Sequence, residues 1–475
     1  MGKNIIKKGF LKLHGSLEWR FFMNTTMKEK TNEIIHGVIW KQLLFFFFPI
    51  LLGSLLQQLY NTADAVIVGR FLGKEALAAV GGSAGMIIAL IVGFFVGLTS
   101  GASVIVSQFF GCGDKKGVNH SIHTLYAFSI IGSIFIMIFG IITAGPVLSA
   151  MNTPDELMAD SILYLQIYFG GIFFTFIYNT GSALLRALGD SRRPLYALIV
   201  CCIINIILDV LFIRFFHMGI SGAAIATVIS QAISALMVTW YLLRSPDCQF
   251  SLRSIRFHGE VLKSELIVGL PGGMQYAMYS ISNIIIQAAL NTFGTDTAAA
   301  WAAYGKMDAL FWTVSSACGL AITTFVGQNY GAGQMQRVKK SIHVCIWMDL
   351  AISVFMSLFF IILRIPLFHI FIDDASVVAI GIEMLWIMTP FYATFVLTEV
   401  LSGALRGMGD VVIPTIITTG GICVLRIAWI FVVVPLYPTL TVTLLNYPIS
   451  WILTSVLFLI YYIVRIKKLN AYLPM

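Results

Sequence analysis

Leu185-Arg186-Ala187-Leu188-Gly189-Asp190 is written a second time, with two changes, as Leu405-Arg406-Gly407-Met408-Gly409-Asp410. The offset, 405 − 185 = 220 residues, is kept by other pieces. Pro194 returns as Pro414, and Ser121-Ile122-His123 as Ser341-Ile342-His343. Gln108-Phe109-Phe110-Gly111-Cys112-Gly113 returns as Gln328-Asn329-Tyr330-Gly331-Ala332-Gly333, while Pro49 and Pro271 agree within two residues. Independent matches at one spacing mark a duplicated chain.

What is duplicated is a membrane unit. The 475 residues are 58% hydrophobic and 11% charged, with mean hydropathy +0.89; soluble domains carry about 25% charge. Apolar segments fall near 42–67, 77–105, 121–145, 158–182, 194–216, 219–243, 261–291, 298–326, 341–364, 377–404, 412–434 and 440–464. Each meets or exceeds the roughly 20 residues that a helix needs to span the hydrocarbon, so tilted or kinked spans are expected. The fold class that follows is an all-α polytopic membrane protein. About twelve transmembrane helices form two six-helix lobes. Six spans per repeat is an even number, so the lobes run parallel and are related by a pseudo-two-fold along the membrane normal.

Lys115, Lys116, Arg186, Arg192, Arg193, Arg244, Arg253, Arg256, Lys263, Arg337, Lys339, Lys340, Arg406, Arg465, Lys467 and Lys468 follow alternate spans. The other loops are poor in base, with Asp155, Glu156 and Asp296. This bias predicts cytoplasmic termini and explains the net charge of +8 without nucleic acid as a partner. The expected divisions are an N-terminal extension over 1–38, lobes over 39–244 and 261–464, an inter-lobe loop over 245–260 and a tail over 465–475. Residues 1–26 differ in composition from the rest, so Met27 is an alternative start. No cleavable signal peptide is evident. The seven cysteines (Cys112, Cys201, Cys202, Cys248, Cys318, Cys345 and Cys423) have no metal spacing and no disulfide pattern. Gly93, Gly97 and Gly101 form a small-residue stripe for close helix packing.

The first repeat holds acid where an apolar run should be uninterrupted. Tyr60, Asn61 and Asp64 sit inside the run that Ala65 to Val68 continues. A carboxylate at membrane depth costs about 2.5 kcal/mol or more, so it faces a partner or a cavity. The alternative is that Asp64 merely ends its helix in the interface. Asn205 and Asp209, four apart in the fifth span, share one helix face, and Thr227 lies in the sixth. Asp209 has its own alternative, a helix-end residue beside Arg214. Asp64 has no acidic counterpart, since the second repeat reads Asn283-Ile284-Ile285-Ile286-Gln287 there, and Asn205 and Asp209 map to Leu425 and Trp429. Two carboxylates with amide and hydroxyl oxygens can hold a proton or coordinate a hard cation such as sodium, at Asp64, Asn205 and Asp209.

The second repeat offers Tyr276, Tyr279, Ser280, Asn283 and Gln287 on one face of the seventh span. Lys306 is expected to pair with Asp308 or Glu399, which would ease their burial. Glu399 itself is either a contact for cationic substrate or a member of a structural ion pair. No P-loop exists, so ATP hydrolysis is not expected. Gly81-Gly82-Ser83-Ala84-Gly85 matches a nucleophile elbow but has no nearby His to serve as base, and no enzyme activity is expected.

Tyr60-Asn61-Thr62-Ala63-Asp64-Ala65-Val66-Ile67-Val68-Gly69-Arg70, the Gln328 to Gly333 piece, the Leu185 to Asp190 piece with Pro194, Asn205-Ile206-Ile207-Leu208-Asp209 and Gly222-Ala223-Ala224-Ile225-Ala226-Thr227 together resemble the multidrug and toxic compound extrusion (MATE) family. The likeness runs from about Lys41 onward. It implies a central cleft and export of small organic cations and hydrophobic compounds against inward H+ or Na+, with no other cofactor. The first-lobe acid matching Asp64 is implied as the coupling site, with Tyr60, Asn205, Asp209 and Thr227 around it. A sodium-using branch carries extra acids in the seventh and tenth spans. Here Met278 and Tyr279 occupy the first of these places, and Glu399 is displaced from the second, which favours coupling in the first lobe. The expected setting is the bacterial inner membrane, with the lipid bilayer as surroundings and a monomer as the working form. The alternative is a lipid-linked saccharide flippase of the same superfamily, for which Lys306 and Arg426 are the chief bases within the spans.

Overall fold

The computed structural model describes residues 33–472, with side chains over 33–469. Most of the proposed N-terminal extension, including the alternative start at Met27, lies outside the described residues. After a short helix, Glu33–His36, twelve long helices follow in order. They are α1 Ile39–Leu72, α2 Lys74–Gly111, α3 Lys115–Ala150, α4 Asp155–Gly170 with Ile172–Ala187, α5 Arg192–Phe215 and α6 Gly219–Leu243. Then come α7 Gly259–Asn291, α8 Thr295–Gly331, α9 Met335–Ile362, α10 Ala375–Gly407, α11 Val412–Val432 and α12 Leu440–Leu469. Ten of these are long and apolar enough to cross a membrane, and the bent pair of α4 makes an eleventh. At 33 residues α7 has the length, but its glycines and polar groups keep it below the apolar standard the others meet.

Breaks within a membrane helix are tolerated where neighbours can satisfy the freed backbone groups. The two segments of α4 meet at 50° across Gly171, whose missing Cβ makes room for Val228 of α6. Pro49 and Pro271 sit inside α1 and α7 without ending them. Pro390 sits in a 3-10 turn, Thr389–Phe391, within α10. Both α5 and α11 contain a π turn, over Leu211–Phe215 and Thr419–Val424.

The duplication is visible in the backbone. Gly189 and Gly409, 220 residues apart, both adopt positive φ, 92° and 81°, and close their helices in the same way. Gly189 N–H donates to Arg186 and Asp190 N–H to Leu185; Gly409 and Asp410 repeat this with Arg406 and Leu405. That is the glycine-ended C-cap in which only a residue without Cβ sits at ease.

The chain packs as two compact units. One takes Leu44–Phe110 and Lys115–Ala277; the other takes the described residues from Met278 on, the turn Gly111–Asp114 and the described residues before Leu44. The division falls inside α7. In the first unit, the stripe on α2 receives the first half of α7. A Cβ on Gly97 would stand 2.6 Å from the carbonyl of Gly272, and one on Gly101 at 2.6 Å from that of Val268. Gly93 lies under the ring of Tyr276. Helices in lipid gain little from hiding apolar surface, so such backbone contact is what holds them. In the second unit, α8 and α10 meet the same way, with Gly403 against the carbonyl of Gly319 and Gly407 against that of Thr323.

The inter-lobe loop is bound to α3. Gln249 N–H donates to Asn119 Oδ1 at 2.8 Å, and Thr124 meets His258 at 3.2 Å. His258 also stacks on His120 at 4.0 Å between ring centres. Burial there, then the positive neighbours His120 and Arg256, hold His258 below the ordinary histidine pKa.

Candidate cation-coupling site

The first unit brings Asp64 of α1 and Asp209 of α5 side by side, their carboxyl groups near enough to share a hydrogen bond. Asp209 and Asn205 are fully buried at 0% exposure. They lie one turn apart on α5, and the π turn begins two residues after Asp209. Asp64 is half-buried, so the pair opens to its surroundings on the α1 side. Neither oxygen of Asp209, neither polar atom of Asn205, nor Asp64 Oδ1 has a hydrogen-bond donor or acceptor partner other than this pairing. Arg214 points outward and is exposed, so Asp209 is not a helix-end residue neutralised by it. Among the described residues no ion pair reaches either carboxyl.

The surroundings are phenolic. Tyr60, one turn before Asp64, stands within electrostatic range of Asp64, Tyr164, Tyr168 and Cys201, and Tyr164 within range of both carboxyl groups. Tyr164 and Tyr168 come from the first segment of α4, and their spacing of four put both on one face. Residue spacing within the first, fifth and sixth spans did not point to them. Thr227 is buried, with its hydroxyl donating to Ala223 O at 3.1 Å. Asn61 is exposed. Two carboxyl groups in contact, with no base, require a positive charge between them, either a proton or a cation held by their oxygens. A separate shallow cavity of about 460 Å³, lined by Thr62, Val66, Arg70 and Lys74 among others, contains none of these residues.

The second-repeat candidates are dispersed. Tyr276 packs with the first unit against Gly93, while Tyr279, Asn283 and Gln287 belong to the second. Asn283 is exposed, and Gln287 donates to Asn291 at 2.8 Å. Lys306 does not form the expected pair. It is exposed, and among the described residues it makes no ion pair. Asp308 instead accepts from Tyr392 Oη at 2.6 Å and Trp312 Nε1 at 2.7 Å, with Arg426 in electrostatic range. A four-residue reach along one helix and a ring hydroxyl from α10 serve it better than the long Lys306 side chain, which turns to the outside. Arg426 is 3% exposed, donates to Ser450 at 2.9 Å and lies over Tyr447 at 4.2 Å. Glu399 lies against Gly319 of α8.

The sequence model of the MatE family matches twice, over residues 49–211 and 271–432. The chain is a member of the MatE family. Each match covers most of one repeat, as the internal duplication requires. The chain is 30% identical over 381 residues to the probable multidrug resistance protein YpnP of Bacillus subtilis, covering 80% of this chain and 85% of that one. It is 29% identical over 388 residues to the probable multidrug resistance protein YoeA of the same organism, covering 80% and 84%. A crystal structure of MATE in the bent conformation has the same fold, with a TM-score of 0.87 at 23% identity over 94% of this chain and all of that one. This MATE chain is therefore a multi-pass membrane transporter, not an enzyme, and the nucleophile-elbow pattern around Ser83 has no catalytic meaning.

Proposed function

We propose that this MATE transporter exports small organic cations and hydrophobic compounds across the bacterial inner membrane by antiport with H+ or Na+, and that Asp64 and Asp209 bind the coupling ion. The observation that carries this reading is the buried carboxyl pair without a base. Such a pair changes its net charge when an ion binds, and a bound ion stabilises whichever conformation holds it more tightly. Asn205, Tyr60 and Thr227 supply further oxygens around it. The relatives named for multidrug resistance support the substrate class. Arg426 is engaged by Ser450 and Tyr447, which weighs against a cleft lined with bases for lipid-linked phosphates. The test is drug efflux from proteoliposomes under separately imposed proton and sodium gradients. Efflux driven by one gradient supports the proposal, and efflux indifferent to both would refute it.

The Lys/Arg bias places both termini and the 245–260 loop in the cytoplasm. Cysteines introduced at Asp155 and Asp296 in a Cys-free variant should react with an impermeant thiol reagent from outside. Reaction only from inside would reverse the orientation.

A further inference from the structure

The second unit has its own buried acids, and the transport reading above does not use them. Asp349, in the middle of α9, is 1% exposed, and neither of its oxygens has a hydrogen-bond partner. Helices α8, α9 and α10 pack on one another there. Glu399 of α10 lies within electrostatic range of Asp349, and the Ser315 hydroxyl and Cys318 thiol of α8 are turned toward it. The Ser315 hydroxyl is itself buried to 1% exposure and has no bonded partner. Ser353, one turn along α9, is likewise fully buried with its hydroxyl unpartnered. Cys345, one turn the other way, also stands in range of both acids.

Counting charges narrows what can occupy this place. The positive group that acts on the cluster is Arg406, which is in range of Glu399. Two carboxyl groups with one guanidinium leave one negative charge in excess inside an apolar bundle, where an uncompensated ion is not tolerated. A hard cation wants oxygen ligands, and two of the side chains here are thiols, which suit softer ions. Among the described residues no group of three or more His, Cys, Asp or Glu is arranged to hold a metal. A proton needs one acceptor oxygen and room for a hydroxyl to turn.

We infer that Asp349, with Glu399, Ser315 and Cys318, forms a second proton-binding site, lying in the second lobe between α8, α9 and α10. Asp349 carries the proton, and the Arg406 guanidinium near Glu399 offsets the remaining negative charge. The inference concerns different residues from the ion coupling at Asp64 and stands or falls separately.

Infrared difference spectroscopy of the purified full-length protein tests it. Asp349→Asn should remove one protonated-carboxyl C=O band that shifts in D₂O, and Asp64→Asn should leave that band in place. Glu399→Gln should move the band, because the charge beside it has gone. Ser315→Ala and Cys318→Ala, which leave both acids intact, should also shift it, so the test survives if Asp349→Asn fails to fold. A spectrum in which none of these substitutions alters a protonated-carboxyl band would overturn the site. So would a band that vanishes on adding sodium chloride at constant pH, since the occupant would then be the metal ion. Loss of drug export in Asp64→Asn bears on the first-lobe reading alone.

Discussion

In the first lobe, among the described residues, neither Asp209 oxygen nor Asp64 Oδ1 has a donor apart from the pairing of the two carboxyl groups. The second surrounds Asp308 with the Tyr392 hydroxyl, the Trp312 indole N–H and the charge of Arg426. The Tyr392 hydroxyl gives its only proton to Asp308, so Tyr304, 2.8 Å away, must donate to Tyr392. Asp308 thus has a donor at each of its oxygens, Tyr392 at one and Trp312 at the other. Fully satisfied buried networks make a single rigid arrangement, whereas partly satisfied ones depend on what else binds. The difference separates an acid that holds a lobe together from a pair that waits for an ion.

Four substitutions would break or sharpen this contrast. The largest effect is expected from Asp64→Asn, which keeps the size and hydrogen bonding of Asp but cannot change its charge. Uphill export should be abolished while folding and drug binding persist; concentrative efflux at normal expression would remove Asp64 from the coupling role. Next is Arg426→Met. Removing one partner of a buried charged network costs about 3 kcal/mol, read as a lower melting temperature in detergent. Adding Asp308→Asn to that variant should recover part of the loss. If the double variant melts no higher than the single, Arg426 acts through packing on Tyr447 and not through Asp308. Asp209→Asn should weaken ion-driven transport without abolishing it, because Asp64 remains to bind the ion; the slope of efflux against the imposed gradient measures this. The smallest effect is that of Tyr392→Phe, which deletes one hydrogen bond to Asp308 and should cost about 1 kcal/mol of stability while leaving transport rates near those of the parent. A transport defect as deep as that of Asp64→Asn would mean that the second-lobe network also moves in the cycle.

A second contrast lies in where each repeat keeps its acids. Asp349 and Glu399 map, at the 220-residue offset, to Ser129 and Asn179. In the first lobe those positions are ordinary and bonded: Ser129 meets Thr180 at 2.6 Å and Asn179 donates to Thr175 at 2.8 Å. Asp64 and Asp209 map to neutral places in the second lobe. The two halves share helices and caps, and they differ in which buried positions carry charge.

Much of this was legible in the chain. Length, apolar runs and repeated motifs determined a duplicated helical membrane protein, because a span must be long, apolar and internally hydrogen-bonded to exist in lipid. The rule that flagged Asp64, an acid inside an apolar run, applies equally to Asp349 in the ninth span, so that residue was open to sequence reading too. The pairing expected of Lys306 was not decidable from spacing, since a long flexible side chain on a helix can turn inward or outward at small cost. Only the tertiary structure placed Tyr164 beside the Asp64–Asp209 pair and Tyr168 beside Tyr60, gave Asp308 to Tyr392 and Trp312, and divided α7 between two packing units. Those outcomes depend on contacts between helices far apart in sequence. Within a span, periodicity tells which residues share a face; which neighbour that face meets is set by the packing of the other helices.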